Sequence, residues 1–309
     1  MTTGVDVSKH TLAVSDPSGA VRSIPNSKEG VIRLLRSLEP SSTIGMEATG
    51  HYHRLLADTA FSNGFKVVVF NPKDVLHYAR SISPRAKTDS VDAKVIANYA
   101  QVRTDYHIYQ PMTPAVAKLK GLLGSRTLLV RDRIGLENRL SDCPECASYL
   151  QAALDGIKAS IAKIDNELKT VAQTFHEYAL LTGIPGIGPV TGAYLLMSLS
   201  SAVFSSSDSF VAFLGLDIRI RQSGTKSGRS HLSKRGDPEA RRLLYLAARA
   251  TCRNAGPFQE LYLRYQNNGL SKIAAAVALA RKLARTAWAI YNKNQPYCPA
   301  RVLSQGADA

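Results

Sequence analysis

The sequence predicts an α/β domain followed by a mostly helical remainder. Three observations point there. The first third of the chain alternates short apolar runs with amphipathic helical spacing, a heptad seam starts at Leu150, and the last part joins glycine turns and a basic loop to an Ala-rich helix. The chain has 309 residues, 45% of them hydrophobic, which at about 100–200 residues per domain predicts two or three domains with real cores.

Gly4 to Ser15 reads as two strands joined by a turn at Ser8-Lys9-His10, and Asp16-Pro17-Ser18-Gly19 is a turn before a third strand over Ala20 to Ile24. Lys28 to Leu38 has a helical apolar face of Val31, Leu34, Leu35 and Leu38. Thr43 to Glu47 is a strand, His53 to Ser62 a helix, and Lys66 to Phe70 a buried-type strand. Lys73 to Ser81 and Val91 to Val102 read as helices, so the sheet is mixed, with helices on its faces.

From Leu150 the apolar residues run Leu154, Ile157, Ile161, Ile164, Leu168, Val171 and Phe175, in alternating steps of four and three. The less regular helix Thr113 to Leu140 precedes it, so the middle is either a helical hairpin or a stalk that pairs with a second copy. After Leu180 come the turn Gly183-Ile184-Pro185-Gly186-Ile187-Gly188 and the basic loop Arg219 to Arg235. A helix capped at Asp237-Pro238 and a final helix over Lys272 to Lys293 complete the chain.

Charge narrows the function. Lys and Arg number 39 against 24 Asp and Glu, a net +15, with a pI of about 9.8. Such an excess predicts attraction to a polyanion, nucleic acid before anionic membrane. No run of about 20 apolar residues escapes a charge, and no secretory leader opens the sequence, so the expected setting is cytoplasmic. Four cysteines do not make a disulfide framework; Cys143-Pro144-Glu145-Cys146 has the spacing of half a zinc site, but no second pair follows, and a turn with two incidental thiols is the preferred reading.

The chemistry-bearing residues fall in two groups. Asp6 lies in the first strand, Glu47 ends another, and Asp89 and Asp92 share one helical face. Carboxylates gathered at one sheet edge repel, and hard divalent cations such as Mg²⁺ or Mn²⁺ relieve the repulsion. Two such ions about 3.5–4 Å apart serve phosphodiester chemistry. Each residue alone is ordinary, Asp89 as a helix cap and Asp6 as a strand-edge residue; the set, in so basic a chain, points to a nuclease-like centre. The second group binds nucleic acid. Gly186 and Gly188 suit a helix-hairpin-helix turn whose backbone N–H groups approach phosphate, or equally a tight turn with no ligand. Arg219, Arg221, Lys226, Arg229, Lys234, Arg235, Arg241 and Arg242 form a cationic run interleaved with Ser223-Gly224, Ser227-Gly228, Ser230 and Ser233. A serine among such cations is a candidate nucleophile toward phosphodiesters, though spacing does not say which serine. Tyr245 falls within an apolar helical pattern and is read as a packing residue.

These pieces together resemble a known family. Gly4-Val5-Asp6-Val7-Ser8-Lys9, Glu47-Ala48-Thr49-Gly50, Asn71-Pro72 and Lys87-Thr88-Asp89-Ser90-Val91-Asp92-Ala93 stand in order. Ile184-Pro185-Gly186-Ile187-Gly188, Ser223-Gly224, Gly228-Arg229, Ser233-Lys234, Gly236 and Arg241-Arg242-Leu243-Leu244-Tyr245 follow. The series is similar to the DEDD transposases of insertion-sequence family one-hundred-and-ten, the bridge-RNA-guided recombinases. The resemblance implies a RuvC-like domain of ribonuclease H fold over residues 1–105, a coiled-coil region over 106–178 and a serine-containing transposase domain over 179–309. It implies that Asp6, Glu47, Asp89 and Asp92 hold Mg²⁺ and that Ser223 forms a phosphoserine link with DNA. It further implies donor and target DNA, a structured guide RNA, and dimers pairing into tetramers, with a site completed between the acidic domain of one subunit and the serine domain of another. Rival expectations are a RuvC-type resolvase using metal-activated water and a nonenzymatic nucleic-acid scaffold.

Overall fold

The computed structural model describes residues 1–82, 89–103, 108–219, 222–223, 226–227 and 231–304, with backbone alone for 89–90, 219, 222–223, 226–227 and 303–304. Contacts divide the chain into two compact units, one of Met1–Pro111 with Ser201–Val203 and one of Met112–Ser200 with Phe204–Ala309. No described helix is long and apolar enough to cross a membrane.

The first unit holds strands β1 (Thr2–Val7), β2 (Thr11–Ser15), β3 (Val21–Pro25), β4 (Thr43–Glu47) and β5 (Lys66–Phe70). Between and after them come helices α1 (Lys28–Arg36), α2 (Arg54–Ser62), α3 (Pro72–Ile82) and α4 (Asp89–Val102). The sheet order is β3-β2-β1-β4-β5. The first three strands form an antiparallel meander, while β4 pairs parallel to β1 and β5 parallel to β4. The meander follows from the turns: Ser8 donates its N–H to the Thr11 carbonyl at 2.9 Å, and Asp16 accepts from the N–H groups of Ser18 and Ala20.

Alternation then sorts the strand residues onto two faces. Val5, Val7, Leu12, Val14, Ile44, Met46 and Val67 join Val31, Leu34 and Leu35 of α1 and Leu56, Ala57 and Ala60 of α2 in one apolar cluster. Val68 and Phe70 of β5 face the other way and pack with Val75 of α3 and Val95, Ile96 and Ala100 of α4. A three-layer α/β/α unit results, with β1 at its centre.

The second unit is helical, and its helix ends largely match the sequence expectations. Helices α5 (Pro114–Asp142) and α6 (Ala147–Ala172) flank one 3₁₀ turn, Pro144–Cys146. They fold back on each other through Arg126–Asp165 (2.5 Å), Lys118–Glu167 and Lys158–Glu137 (3.6 Å). The heptad seam is therefore used within the chain: Leu154, Ile161 and Leu168 are buried, at seven-residue intervals. There follow α7 (His176–Thr182), α8 (Pro189–Leu199), α9 (Ser207–Phe213), α10 (Pro238–Thr251), α11 (Pro257–Asn267), α12 (Lys272–Lys293) and α13 (Ala300–Ser304). Ala275, Ala276, Leu279, Ala280, Leu283, Ala284 and Ala287 of α12 are buried, so this Ala-rich helix is a packed core helix.

The stretch expected as a basic loop contains strands. Strand β6 (Ile218–Arg219) pairs antiparallel with β9 (His231–Leu232), and β7 (Gln222–Ser223) pairs antiparallel with β8 (Lys226–Ser227). Alternation of Ile218 and Ile220 with Arg219 and Arg221 is the period-two signal that announces them, too short to stand out in a basic run.

Candidate functional site

Two glycines set the position of the acidic residues. A Cβ at Gly4 would stand 2.3 Å from the Ala93 carbonyl oxygen and from the Ala97 nitrogen, so the backbone of α4 lies directly on β1. A Cβ at Gly45 would stand 3.0 Å from the Ala100 Cβ, and 3.1 Å from the Phe70 ring. Gly4 and Gly45 are register partners on β1 and β4, and both face α4. Asp6 and Glu47 lie two residues further along their strands, hence on the same face. The β1–β4 ladder ends at Val5 opposite Met46, so the next residues, Asp6 and Glu47, are neighbours across parallel strand ends. Asp92 immediately precedes Ala93, the residue whose carbonyl rests against Gly4. Asp6, Glu47 and Asp92 are all half-buried.

Asp6 and Glu47 thus share the sheet face that α4 covers, while Asp92 lies on α4 beside the residue seated there and Asp89 begins the same helix. Carboxylate oxygens are the hard donors that Mg²⁺ and Mn²⁺ take, so the donor type fits. Among the described residues, no group of three or more His, Cys, Asp or Glu side chains is arranged to hold a metal ion. The side chain of Asp89 lies outside that description.

The serine group is approached through a stem of two glycines and carries two short antiparallel pairings. A Cβ at Gly215 (φ +70°) would stand 2.4 Å from the Gly236 nitrogen, and one at Gly236 would stand 2.2 Å from the Phe213 carbonyl oxygen. Only glycines let the two sides of the stem approach this closely. Arg241 donates to the Gly236 carbonyl at 2.6 Å and to that of Leu214 at 3.5 Å, fastening both sides. Asp237 caps α10 by accepting the Glu239 N–H at 2.8 Å, and its other oxygen accepts from the Tyr194 hydroxyl. Burial and the Asp237 carboxylate push the Tyr194 hydroxyl well above its ordinary value, so it stays a proton donor.

Above the stem, Ser233 pairs with Asp217, Ile218 sits opposite Leu232, and Arg219 opposite His231. Further out, Gln222 sits opposite Ser227 and Ser223 opposite Lys226. Arg221 and Arg229 lie outside the described residues.

The remaining expected nucleic-acid residues divide by their partners. Lys234 is exposed with left-handed backbone (φ 54°), and Arg235 is exposed beside it. Arg242 is tied to Glu239 by two bonds of 2.6 and 2.7 Å, and Arg241 is half-buried in the stem. Gly186 (φ +83°) is wedged against α10, where a Cβ would stand 2.4 Å from Thr251 Cγ2 and 2.7 Å from the Ala247 carbonyl oxygen. Gly188 is the residue before α8, with open space around its Cα. Tyr245 is half-buried on α10. Sequence reading missed the anchoring work of Asp217, Tyr194 and Arg241, because their partners stand 16, 43 and 27 positions away.

Comparison with known proteins places this arrangement. A family model described as Transposase, for the DEDD transposases of IS110, matches residues 3–143, and one described as Transposase IS116/IS110/IS902 family matches residues 178–263. Together they cover the acidic face and the serine hairpin, well over half of the chain. The chain belongs to the IS110 family of transposases. It is 28% identical to the Pilin gene-inverting protein of Moraxella bovis over 95% of this chain and 96% of that protein. It is also 27% identical to the Transposase for insertion sequence element IS1328 of Yersinia enterocolitica, over 93% and 95% respectively. As a member of the IS110 family the chain is a DNA transposase or recombinase enzyme, and its substrate is DNA.

Proposed function

We propose that this transposase moves DNA under the guidance of a structured RNA, using a carboxylate centre of Asp6, Glu47, Asp89 and Asp92 and a serine nucleophile at Ser223. The observation that supports the reading is the position of Asp6 and Glu47 on adjacent strand ends, on the face that α4, the helix of Asp89 and Asp92, covers. Support for a RuvC-like unit comes from the sheet itself, an antiparallel meander with two parallel strands added beside β1.

Ser223 Oγ attacks phosphorus, an Oγ–P bond forms, and one phosphodiester P–O bond breaks to leave a free hydroxyl end. A second hydroxyl end then displaces the serine, restoring the phosphodiester and the Ser223 hydroxyl. One phosphoester bond is exchanged for another at each step, so no external energy source is required. Lys234, Arg235 and the other cations of the hairpin offset the phosphate charge and hold the backbone. Asp6, Glu47, Asp89 and Asp92 would hold Mg²⁺, with Mn²⁺ as substitute. Such an ion supplies charge stabilisation at phosphate oxygens. The guide RNA assigns sequence choice to base pairing, and the oligomer is a homodimer that pairs into a tetramer. The deciding experiment incubates the protein with its element's DNA, its RNA and Mg²⁺ and looks for a covalent protein–DNA adduct. An adduct that maps to Ser223 supports the reading; cleavage to free ends without adduct favours a resolvase-type hydrolysis instead.

A further inference from the structure

The apex of the α5–α6 hairpin carries a feature that transposition chemistry does not use. Cys143 ends α5, Cys146 precedes α6, and the 3₁₀ turn between them is closed by the Cys146 N–H donating to the Cys143 carbonyl at 3.0 Å. That hydrogen bond closes one turn with Cys143 and Cys146 at its two ends, so the two thiols flank the same turn. Both are free and half-exposed. From residue 124 to residue 153 no residue of the hairpin is buried, so among the described residues its outer half, apex included, is half-buried or exposed throughout.

We propose that Cys143 and Cys146 form half of a zinc site, completed by the same two cysteines of a second copy, which joins two hairpins apex to apex. Closed structural zinc sites take four ligands in a tetrahedron, commonly four thiolates contributed as Cys-x-x-Cys pairs, at about 2.3 Å. This chain offers one such pair at the apex, and among the described residues no third ligand gathers with it. A two-fold axis through the metal supplies the missing pair without any other partner, because an isologous contact duplicates whatever stands on it. Tyr149, three residues beyond Cys146 and 83% exposed, gives the symmetric contact an aromatic rim.

A redox role suits the pair poorly. The Cys146 thiol and the Glu145 carboxylate, which accepts the Cys143 S–H at 2.9 Å, push the Cys143 thiol up to about 11, whereas redox-active pairs depend on a lowered thiol. On binding, each of the four thiols releases its proton to water as its Zn–S bond forms, so zinc affinity falls as pH falls. The inference is independent of Ser223 and of the carboxylate centre.

The test uses the full-length protein, stripped with a chelator under reducing conditions and titrated with Zn²⁺. The expected result is one zinc per two chains with four sulfur ligands by X-ray absorption, and a zinc-dependent doubling of mass by light scattering. Should the protein already associate elsewhere, the zinc ratio and sulfur count still decide. Cys143→Ser and Cys146→Ser should each weaken uptake at least tenfold with unchanged helical circular dichroism, while Cys252→Ser and Cys298→Ser should leave it intact. No uptake, one zinc per chain, or fewer than four sulfurs overturns the proposal.

Discussion

Ser233 is fastened to Asp217 twice. Its backbone N–H donates to the Asp217 carbonyl at 2.9 Å, and its hydroxyl donates to the Asp217 carboxylate. This double tie is the first rung above the Gly215–Gly236 stem, in register with the pairing of β6 and β9. Ser233→Ala should cost about 1.5–3 kcal/mol, the usual worth of one hydrogen bond to a charged group. Hydrogen exchange at Ile218 and Leu232 should quicken, and adduct formation at Ser223 should slow while DNA binding persists. Unchanged exchange at both amides would show that the side-chain bond does not hold the rung.

Glycine substitutions should have opposite signs in the two units. Gly4→Ala forces a methyl to within 2.3 Å of α4 backbone atoms, so strand and helix must separate. Overpacking of this kind costs about 1–3 kcal/mol or more, and recombination should be lost with it. Gly121→Ala lies on α5 with nothing within 4 Å of the new methyl and should stabilise by about 1 kcal/mol. Thermal unfolding of both variants checks the pair; a neutral Gly4→Ala would mean that α4 is not seated on β1.

Ser223→Ala should abolish the covalent adduct and recombination but leave folding and nucleic-acid binding intact. Asp92→Asn keeps the side-chain shape and removes a charge that divalent ions need, so strand cleavage should fall although Ser223 remains. Chelation should reproduce the Asp92→Asn defect. Full recombination by Ser223→Ala together with an inactive Ser227→Ala would assign the chemistry to the other serine.

DNA affinity should fall steeply with salt, because neutralised phosphates release counterions on binding. Lys234→Gly suits the left-handed backbone at that position and removes one exposed cation. It should reduce the slope of log K against log salt by about 1. Arg241→Ala should instead lower stability by about 1–3 kcal/mol, since it leaves stem carbonyls without their donor. An Arg241→Ala variant with normal stability and a reduced salt slope would move this residue from stem to DNA contact.

Most of the first unit is legible in the sequence because its signals are local. Asp16-Pro17-Ser18-Gly19 makes its own turn, and Lys66 to Phe70 is bounded by Asn63-Gly64 and Asn71-Pro72. The seating of α4 is not legible, since nothing near Gly4 announces that Ala93 and Ala97 will cover it. The basic run is less legible. Arg241 and Arg242 read as phosphate contacts by composition, and the fold adds partners that composition does not announce, backbone carbonyls for Arg241 and Glu239 for Arg242. The heptad seam of α6 was legible as a seam, while the identity of its partner, α5 of the same chain, rests on ion pairs such as Arg126–Asp165 between segments 39 positions apart.

Gly4 and Ala93 also impose a schedule on the newborn chain. The strand that occupies the middle of the sheet is made before the other four, and the helix that roofs it follows about 90 residues later, roughly 5–20 s at ordinary rates of synthesis. Throughout that interval the face of Gly4 and Gly45 has no roof, although α1, β4 and α2 emerge early enough to cover Val5, Val7, Leu12 and Val14 on the other face. Slow translation between β1 and α4 should therefore aggregate this transposase, whereas the same pause placed within α5 should be harmless.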